Sequence, residues 1–434
     1  MKRVVAIDGH NLALQRGTGV ATYARNLANN LAEMGWDVST LYGTPVSSKT
    51  APLLREVQFF DSLGGAGFGQ SKLSVVRNWA KEIVASPFGY RAAEILPSGS
   101  VETRRFADRL PTNAAILNVR SLFDIARRHF RRHGKFLEVR FPGKIDVMHW
   151  TYPLPVKVAN VPNIYTIHDL VPLRLPYTTL DNKRYYYRLI KGCIGNGDHI
   201  CTVSERSKDD IVDLFDVPPD DVTNTYQAVD AISWGAQKTQ TEAEAEVKGV
   251  FGLEPRDYFL FFGAIEPKKN VGRLIEAFLS SHVDSCLVVV GSLAWKADEE
   301  MKLVNAMLKQ RPELRRRIRL FDYTSRPFLI SLIRAAKAVV FPSLYEGFGL
   351  PILEAMQLGT PTLCSSGGSL PEIAGDASVC VDPYDVGDIA RGLRILDQDE
   401  QLRKHLALAG VERAKVFSAD AYKTRLLQMY GRII

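Results

Sequence analysis

Short apolar runs of strand length alternate with amphipathic helical patterns along most of this chain, and this alternation is the feature that most restricts its fold. The first example is a strand at residues 3–8, a loop at 9–19, a helix at 20–34 and a second strand at 37–42. This order predicts a βαβ unit, whose two strands lie parallel in one sheet. Further strands are predicted at residues 145–150, 163–168, 199–203, 258–262, 286–290, 318–321 and 338–341. We therefore expect an α/β protein with doubly wound sheets.

The chain is long enough for two domains, because single hydrophobic cores stop growing beyond about 250–300 residues and this chain has 434. The alternation occurs in residues 1–230 and again in residues 251–416, and a stretch rich in alanine, glutamine and threonine at 231–250 reads as a linker. A last amphipathic helix within residues 417–434 is expected to pack back on the first domain. Between about residues 64 and 140 the alternation is lost, which we interpret as an arginine-rich helical insertion.

The basic character of the chain restricts its partners. A formal net charge of +7 and a pI near 9.0 favour an anionic partner, such as a nucleic acid, a membrane surface or a phosphorylated substrate. The densest basic cluster, residues 127–133, contains a single phenylalanine and not the interleaved series of aromatic residues that a base-stacking platform needs, so no nucleic acid partner is predicted. The cluster instead suggests contact with an anionic membrane, and a solvated helical face is the alternative.

The sequence contains no pattern for a membrane span, a secretion signal or a disulfide framework. No stretch approaches the ~20 apolar residues that cross a bilayer, and the amino terminus has no apolar run of signal-peptide length. The five cysteines are odd in number and form no Cys-x-x-Cys pair, which also argues against a zinc site. We expect a cytoplasmic protein, either soluble or peripheral on the inner face of the cytoplasmic membrane.

The most informative segment is residues 341–356, where a strand ends, a glycine-containing loop turns and a helix begins with Pro351 at its first position. The loop amides of residues 347–350 would lie at the amino terminus of that helix. Orphan N–H groups and the helix dipole favour an anion at such a place, and a diphosphate is a suitable one.

Two glutamates flank this loop. Glu346 lies in the loop itself, and Glu354 is placed in the first helical turn, so both carboxylates can face one cleft. One can accept hydrogen bonds from ribose hydroxyls while the other approaches a sugar. The alternative reading of Glu354 is a first-turn glutamate that the helix dipole favours for structural reasons.

These motifs together resemble family 4 of the retaining glycosyltransferases. The resemblance rests on Glu-Gly-Phe-Gly-Leu-Pro at 346–351 with a second glutamate eight positions after the first, on Gly-Thr-Pro at 359–361 and on residues 369–377. It implies the GT-B architecture, with two Rossmann-like domains facing a cleft, the acceptor on the first and the nucleotide sugar on the second.

The resemblance extends to residues 263–270, which are similar to the segment where the family places basic side chains against the donor diphosphate. Lys269 stands six positions after Gly263, as the family's lysine does, and Lys268 replaces a common arginine, which keeps the charge but loses the bidentate fork. Donor-binding roles are thus predicted for Gly263, Lys268, Lys269, Tyr323, Gly347, Phe348, Gly349, Leu350 and Glu354. Two adjacent solvated lysines are the alternative.

The first domain carries weaker signals. Gly17 and Gly19 are similar to the family's glycine loop, where the backbone approaches phosphate and acceptor, although a simple turn would explain them equally. His168 ends a predicted strand, where open α/β sheets bind ligands, and resembles the family's histidine that faces the donor sugar. Catalytic roles are therefore predicted for His168, Lys269 and Glu346. The alternative for His168 is a hydrogen-bonded loop residue without a catalytic role.

The resemblance implies a retaining hexosyltransferase that needs no cofactor and no metal, since no Asp-x-Asp motif occurs in a matching place. Mannosyl transfer from GDP-mannose to a glycan or lipid-linked glycan in cell-surface polysaccharide synthesis is the first expectation, and a UDP-sugar donor is the second. A front-face route is preferred to a covalent intermediate on Glu346. A sugar-nucleotide epimerase or a non-catalytic binding protein of the same fold remains an alternative.

Overall fold

The structure, a computed structural model, describes most of the chain: residues 2–14, 19–65, 89–111, 114–229, 238–292, 301–302, 306–307, 309–322 and 324–434. Two predicted site residues, Gly17 and Tyr323, lie outside the described residues, as does part of the predicted insertion.

The first half of the chain forms a large sheet and a small one. Its strands are β1 Val4–Asp8, β2 Asp37–Tyr42, β3 Tyr90–Arg91, β4 Ala93–Ile95, β5 Ala114–Asn118, β6 Leu137–Arg140, β7 Val147–Trp150, β8 Val156–Val158, β9 Asn163–Thr166, β10 His199–Thr202 and β11 Val222–Asn224. Eight of them form the large sheet in the order β11-β10-β9-β7-β1-β2-β5-β4, which is parallel except for β4, while β3, β6 and β8 form the small sheet. The order reverses between β1 and β7, and the carboxyl ends of strands at such a switch point border a ligand crevice.

Helices cover the large sheet of the first half. They are Gly19–Glu33, Pro52–Gly64, Leu122–His133, Val171–Arg174, Lys183–Asn196 and Glu205–Phe215. The interpretation of residues 64–140 as a helical insertion needs correction, because β5 pairs in parallel with β2 along its whole length and β4 continues the sheet edge. The strand signal of β5 is weak because two of its five residues are alanines, which are poor strand formers.

The second half is a six-stranded parallel sheet of β12 Tyr258–Phe262, β13 Cys286–Val290, β14 Ile318–Phe321, β15 Ala338–Phe341, β16 Thr362–Ser365 and β17 Val379–Val381. Their order, β14-β13-β12-β15-β16-β17, is the 3-2-1-4-5-6 arrangement of a Rossmann fold. All five residues of β12 are buried, as expected of a strand covered on both faces. The predicted α/β fold with two doubly wound halves is thus confirmed.

The helices of the second half begin inside the stretch expected to be a linker. They are Gln240–Glu246, Val271–Ser281, Arg326–Ala335, Leu350–Gln357, Leu370–Ala374, Val386–Gln398, Glu400–Ala414 and Ala419–Tyr430. The helix Gln240–Glu246 starts with a capping box at Thr239, continues as a π-helical turn at Val247–Phe251 and packs on the helix Arg326–Ala335. The expected linker, residues 231–250, therefore includes a helix of the second half.

The last helix, Ala419–Tyr430, returns to the first half. Its Tyr430 hydroxyl lies 2.6 Å from Nδ1 of the buried His149, and Lys423 Nζ lies 2.6 Å from Glu33 Oε2. Among the described helices, none is both long and apolar enough to cross a membrane.

Candidate functional site

The candidate site lies where the order of the second sheet reverses, between the neighbouring strands β12 and β15. β12 ends at Phe262, and the next residue, Gly263, has a φ of +135° that favours glycine. A Cβ on Gly291 would lie 1.8 Å from the Gly263 carbonyl oxygen, so the two backbones touch here. The chain can turn sharply at this point and continue into the basic segment.

The basic segment forms a 3₁₀ turn at Pro267–Lys269, directly beside the loop that follows β15. The Leu344 amide donates to the Lys268 carbonyl at 2.7 Å. The Asn270 side-chain amide donates to the carbonyls of Pro342 at 3.0 Å and Pro383 at 2.7 Å. These bonds fix both lysines relative to the loop that carries Glu346.

The lysines and Glu346 form a largely buried ionic cluster. Lys269 Nζ lies 2.5 Å from Glu346 Oε1, and Lys268 Nζ lies 3.6 Å from Glu346 Oε2 and 3.7 Å from Glu266 Oε1. Burial alone would raise the pKa of Glu346, but the two lysines outweigh it and the net pKa is lowered. Burial likewise opposes the charge of Lys268, yet Glu346, Asp169 and Glu266 raise its pKa. The cluster therefore keeps two cations at the end of β12, where a diphosphate could bind.

The helix that carries Glu354 begins at Leu350, so Pro351 is its second residue and Glu354 its fifth. The sequence predicts Pro351 at the first position and Glu354 in the first turn, so each residue lies one position further into the helix than predicted. Glu354 is 5% exposed and its Oε1 accepts a hydrogen bond of 2.7 Å from Arg326 Nη2. Burial raises the pKa of Glu354 and Arg326 partly offsets the rise.

Arg326 is a site residue that the sequence reasoning missed. It is the first residue of its helix, where the dipole disfavours a cation. That unfavourable position was the available signal, and it does not identify the acidic partner.

The loop at residues 346–349 is held by the loop that follows β16. Ser369 Oγ donates to the carbonyl oxygens of Glu346 at 3.0 Å and Phe348 at 2.7 Å. Gly368 has φ +63°, and a Cβ there would lie 2.6 Å from the Glu346 nitrogen. Gly349, with φ +118°, caps the helix that starts at Leu350. The amides of residues 347–350 thus lie at a helix amino terminus, as predicted.

His168 lies across the cleft from this loop. Its Nε2 is 2.8 Å from the Thr151 carbonyl oxygen, and since a carbonyl only accepts, Nε2 carries the proton. Burial lowers the pKa of His168, so the ring is neutral at pH 7 and Nδ1 is its acceptor nitrogen. Tyr23 contacts the ring edge-on with the ring centres 4.8 Å apart.

Thr151 is itself fixed by Asp8, a second residue that the sequence reasoning missed. The Asp8 carboxylate, fully buried at the end of β1, accepts from the Thr151 amide at 2.5 Å and its hydroxyl at 2.8 Å. Asp8 is the last residue of β1 and Thr151 directly follows β7, the two strands between which the first sheet reverses its order. A charged residue at the end of a buried strand was the available signal.

The cleft is closed where the two halves meet. A Cβ on Gly347 would lie only 2.4 Å from the His168 carbonyl oxygen, and one on Gly19 would lie 3.4 Å from Leu350 Cδ1. The structure therefore brings Gly19 and His168 of the first half to the loop at residues 347–350. In the part of the chain that the structure describes, no three acidic, histidine or cysteine side chains are grouped to hold a metal ion.

Two family models match the chain. One described as Glycosyltransferase Family 4 matches residues 17–231, and one described as Glycosyl transferases group 1 matches residues 244–413.

Curated relatives and a solved structure agree with these matches. O-antigen chain mannosyltransferase B of Escherichia coli is 32% identical over 273 residues, which cover 62% of this chain and 69% of the relative. Serotype-specific mannosyltransferase WbdA of Escherichia coli is 30% identical over 279 residues, but these span only 33% of that longer relative and 62% of this chain. The crystal structure of Anabaena HepE with UDP and glucose has a TM-score of 0.66 over 100% of both chains at 12% identity, a likeness of fold.

Proposed function

This chain belongs to glycosyltransferase family 4, and on that premise we propose that it moves a mannosyl group from GDP-mannose to a glycan or lipid-linked glycan acceptor in cell-surface polysaccharide synthesis. It is a glycosyltransferase with the GT-B fold. The mannosyl assignment is supported by the names of the relatives, which are O-antigen chain and serotype-specific mannosyltransferases. A UDP-sugar donor is the second candidate.

The observation that carries the proposal is the cluster of Lys268, Lys269 and Glu346 at the switch point of the second sheet. Transfer breaks the bond between the anomeric carbon and the diphosphate, and negative charge develops on the departing oxygen. Two fixed ammonium groups and the amides at residues 347–350 would stabilise that charge without reorganising. We infer that the reaction needs no metal ion for this reason.

The roles of the remaining site residues follow from their positions. The carboxylate of Glu354, oriented by Arg326, is suited to accept hydrogen bonds from ribose hydroxyls. His168, neutral and fixed by Thr151, presents Nδ1 as an acceptor for a hydroxyl of the donor sugar. In front-face transfer the acceptor hydroxyl attacks the side that the diphosphate leaves, and its proton passes to a diphosphate oxygen. In the covalent alternative Glu346 is the nucleophile, which would require its release from Lys269.

We also propose that the helix Leu122–His133 contacts an anionic membrane surface that presents the acceptor. Its apolar residues, including Leu122, Ile125 and Phe130, are buried against the first half, whereas its arginines are exposed. The outer face is therefore cationic without an apolar stripe, which suits headgroup contact rather than insertion. The surface residues in question are Arg127, Arg128, Arg131 and Arg132. Attachment of this kind would place the protein at the inner face of the cytoplasmic membrane.

The donor is tested by titrating the protein with GDP, UDP, ADP and dTDP in EDTA while thermal unfolding is recorded. A nucleotide at ~100 times its dissociation constant should stabilise the fold by ~2.7 kcal/mol. Stabilisation by GDP and transfer of labelled mannose to a lipid-linked glycan in EDTA would support the proposal. Stabilisation by UDP alone would indicate a UDP-sugar donor instead of GDP-mannose. Release or isomerisation of the sugar without any acceptor would favour hydrolysis or an epimerase, and no effect of any nucleotide would overturn the donor site.

The membrane contact is tested by sedimentation with vesicles of phosphatidylcholine alone or with added phosphatidylglycerol. We expect binding only to the anionic vesicles and its loss at 0.5 M salt. Replacing Arg128, Arg131 and Arg132 by glutamine should abolish binding while transfer to a water-soluble acceptor is kept. Equal binding of this variant and the parent would contradict the assignment.

A further inference from the structure

The helix Glu205–Phe215 belongs to the first half, where it follows β10, but it contacts the second half at its first turn and at its middle. Each of these contacts involves the backbone of His168 or Gly347, the residue directly before Glu346, or the segment after Ser369.

At the first turn, the carboxylate of Glu372 from the second half accepts hydrogen bonds from two backbone amides of this helix. The Glu205 amide donates to Oε1 at 2.7 Å and the Arg206 amide donates to Oε2 at 3.1 Å. The first amides of a helix have no partner within the helix, and the dipole favours an anion there. Arg413 fixes the Glu372 backbone within the second half by donating to its carbonyl at 2.5 Å.

At the middle of the helix, the Asp210 carboxylate accepts a hydrogen bond from the hydroxyl of Tyr345, the residue directly before Glu346. The Asp210 side chain is 1% exposed and is also paired with Arg174 Nη2 at 2.5 Å and Arg206 Nη2 at 3.2 Å. Tyr345 is 7% exposed, so this bond between the halves is shielded from water. Asp210 would keep two cationic partners if the tyrosine hydroxyl were absent.

Between these points, Ser207 touches both sides of the cleft. Its hydroxyl lies 2.8 Å from the His168 carbonyl oxygen and 3.4 Å from the Gly347 carbonyl oxygen. The Ser207 amide donates to Ser204 Oγ at 3.0 Å, which caps the helix. The same helical turn thus bonds to the backbone of His168 and to the backbone next to Glu346.

We propose that the helix Glu205–Phe215 aligns the two halves for transfer, with Tyr345 and Glu372 as positioning residues that hold Glu346 and Gly347 against His168. The inference rests on the proposed site roles of Glu346 and His168. The nucleotide part of the donor is proposed to bind to residues of the second half, so nucleotide binding needs no contact with this helix. Transfer needs groups from both halves in one geometry, and a small misplacement of such groups costs about tenfold to a hundredfold in rate.

The test replaces Tyr345 by phenylalanine, which removes one hydroxyl and keeps the ring. We expect kcat to fall by about tenfold or more, because the reacting groups of the two halves are misplaced. The Kd for the nucleotide should stay within about twofold of the parental value, and the melting temperature should stay within a few degrees. The matched control is Tyr384→Phe. Tyr384 also reaches across the cleft, with its hydroxyl 3.4 Å from that of Tyr177, but both rings are more than half exposed and lie at the rim. This control should transfer sugar at the parental rate.

Small-angle scattering gives a readout independent of the chemistry. Nucleotide-bound Tyr345→Phe should have a larger radius of gyration than the nucleotide-bound parent, and Tyr384→Phe should not. The proposal would be overturned if Tyr345→Phe had the kcat and the radius of gyration of the parent. It would also be overturned if Tyr345→Phe and Tyr384→Phe lost kcat equally. Failure of the parent to bind any nucleotide would instead overturn the donor site, and the radii of the unbound variants would still test the helix.

A second variant, Glu372→Gln, keeps one carbonyl oxygen as an acceptor but removes the charge at the helix terminus. We expect a loss in kcat smaller than that of Tyr345→Phe, again with an unchanged Kd for the nucleotide. Loss of nucleotide binding in this variant would place Glu372 in the donor site and contradict a positioning role.

Discussion

Lys269 Nζ lies 2.5 Å from Glu346 Oε1 and 4.6 Å from the centre of the Phe341 ring, so one side chain joins the turn after β12 to the strand and loop of β15. The Lys269 and Glu346 side chains are 14% and 9% exposed. Charges this well shielded interact more strongly than surface pairs, and without Lys269 the Glu346 carboxylate would keep only Lys268, at 3.6 Å. A donor diphosphate that binds Lys269 competes with Glu346 for the same ammonium group. Donor binding would therefore weaken the ion pair that holds the Glu346 carboxylate in place.

Replacement of Lys269 by methionine should therefore weaken diphosphate binding and transfer together. We expect kcat to fall by about a hundredfold, as when other fixed donors to a developing anion are removed. Calorimetry should show a weaker Kd for the nucleoside diphosphate and an unchanged one for the nucleoside, because only the diphosphate meets this charge. Lys404→Met, at an exposed lysine paired with Glu400, is the matched control. Equal losses for nucleoside and diphosphate would place Lys269 elsewhere in the donor site.

Gly347 should tolerate no side chain. A Cβ there would meet the His168 carbonyl oxygen at 2.4 Å and Asp169 Cβ at 2.8 Å, and the backbone oxygen cannot rotate away. Gly347→Ala should therefore hold the halves apart and lower kcat/KM by about a hundredfold, while nucleotide binding to the second half persists.

The control for this prediction is Gly249→Ala, because a Cβ at Gly249 meets no atom within 4 Å and alanine favours a helix. It should leave transfer unchanged. Steady-state kinetics and calorimetry on both variants decide the matter, and parental transfer by Gly347→Ala would show that the cleft works in a more open form than the one described.

Much of the fold was predictable because parallel strands that are covered on both faces must be apolar throughout. The strands β12, β13 and β15 begin and end where continuous apolar runs predict, and two such series in one chain predict two parallel sheets. β5 was missed because its alanines carry little strand signal and because it lies among segments rich in arginine.

The site was predictable only in part, for a physical reason. Glu346, Lys269 and the loop at 347–350 belong to local motifs whose spacing a sequence displays. Arg326 pairs with a glutamate 28 residues away, and Asp8 holds Thr151 across 143 residues. Such pairs arise from the packing of distant segments, and one sequence contains no local pattern that identifies the partner.

Arg326 should control how nucleotide binding depends on pH. Burial raises the pKa of Glu354, and Arg326 opposes the rise. In Arg326→Met the pKa of Glu354 should rise further, so the carboxyl is more protonated near neutrality and accepts ribose hydroxyls less well. Affinity for the nucleotide should then increase from pH 6 to pH 8 more steeply than in the parent. Calorimetry at three pH values measures this, with the exposed Arg391→Met as control, and parallel curves for variant and parent would refute it.

His149 should make the fold sensitive to acid. It is fully buried, its Nε2 lies 2.7 Å from Thr166 Oγ1, and burial lowers its pKa from 6.5 to about 3. At a pH between the two pKa values, His149 is protonated in the unfolded chain and neutral in the folded chain. The free energy of unfolding therefore decreases as the pH falls below 6.5. The cost at pH 5 relative to neutral pH should be about 2 kcal/mol, which is roughly one and a half pKa units.

His149→Gln cannot titrate, so it should be less stable than the parent at pH 7 but should lose less stability between pH 7 and pH 5. Urea unfolding at both pH values gives the two differences. His405→Gln, at an exposed histidine on the helix Glu400–Ala414, is the control and should keep the parental slope. If His149→Gln also keeps the parental slope, burial does not lower the pKa of His149, and the folded chain takes up this proton over the same pH range as the unfolded chain.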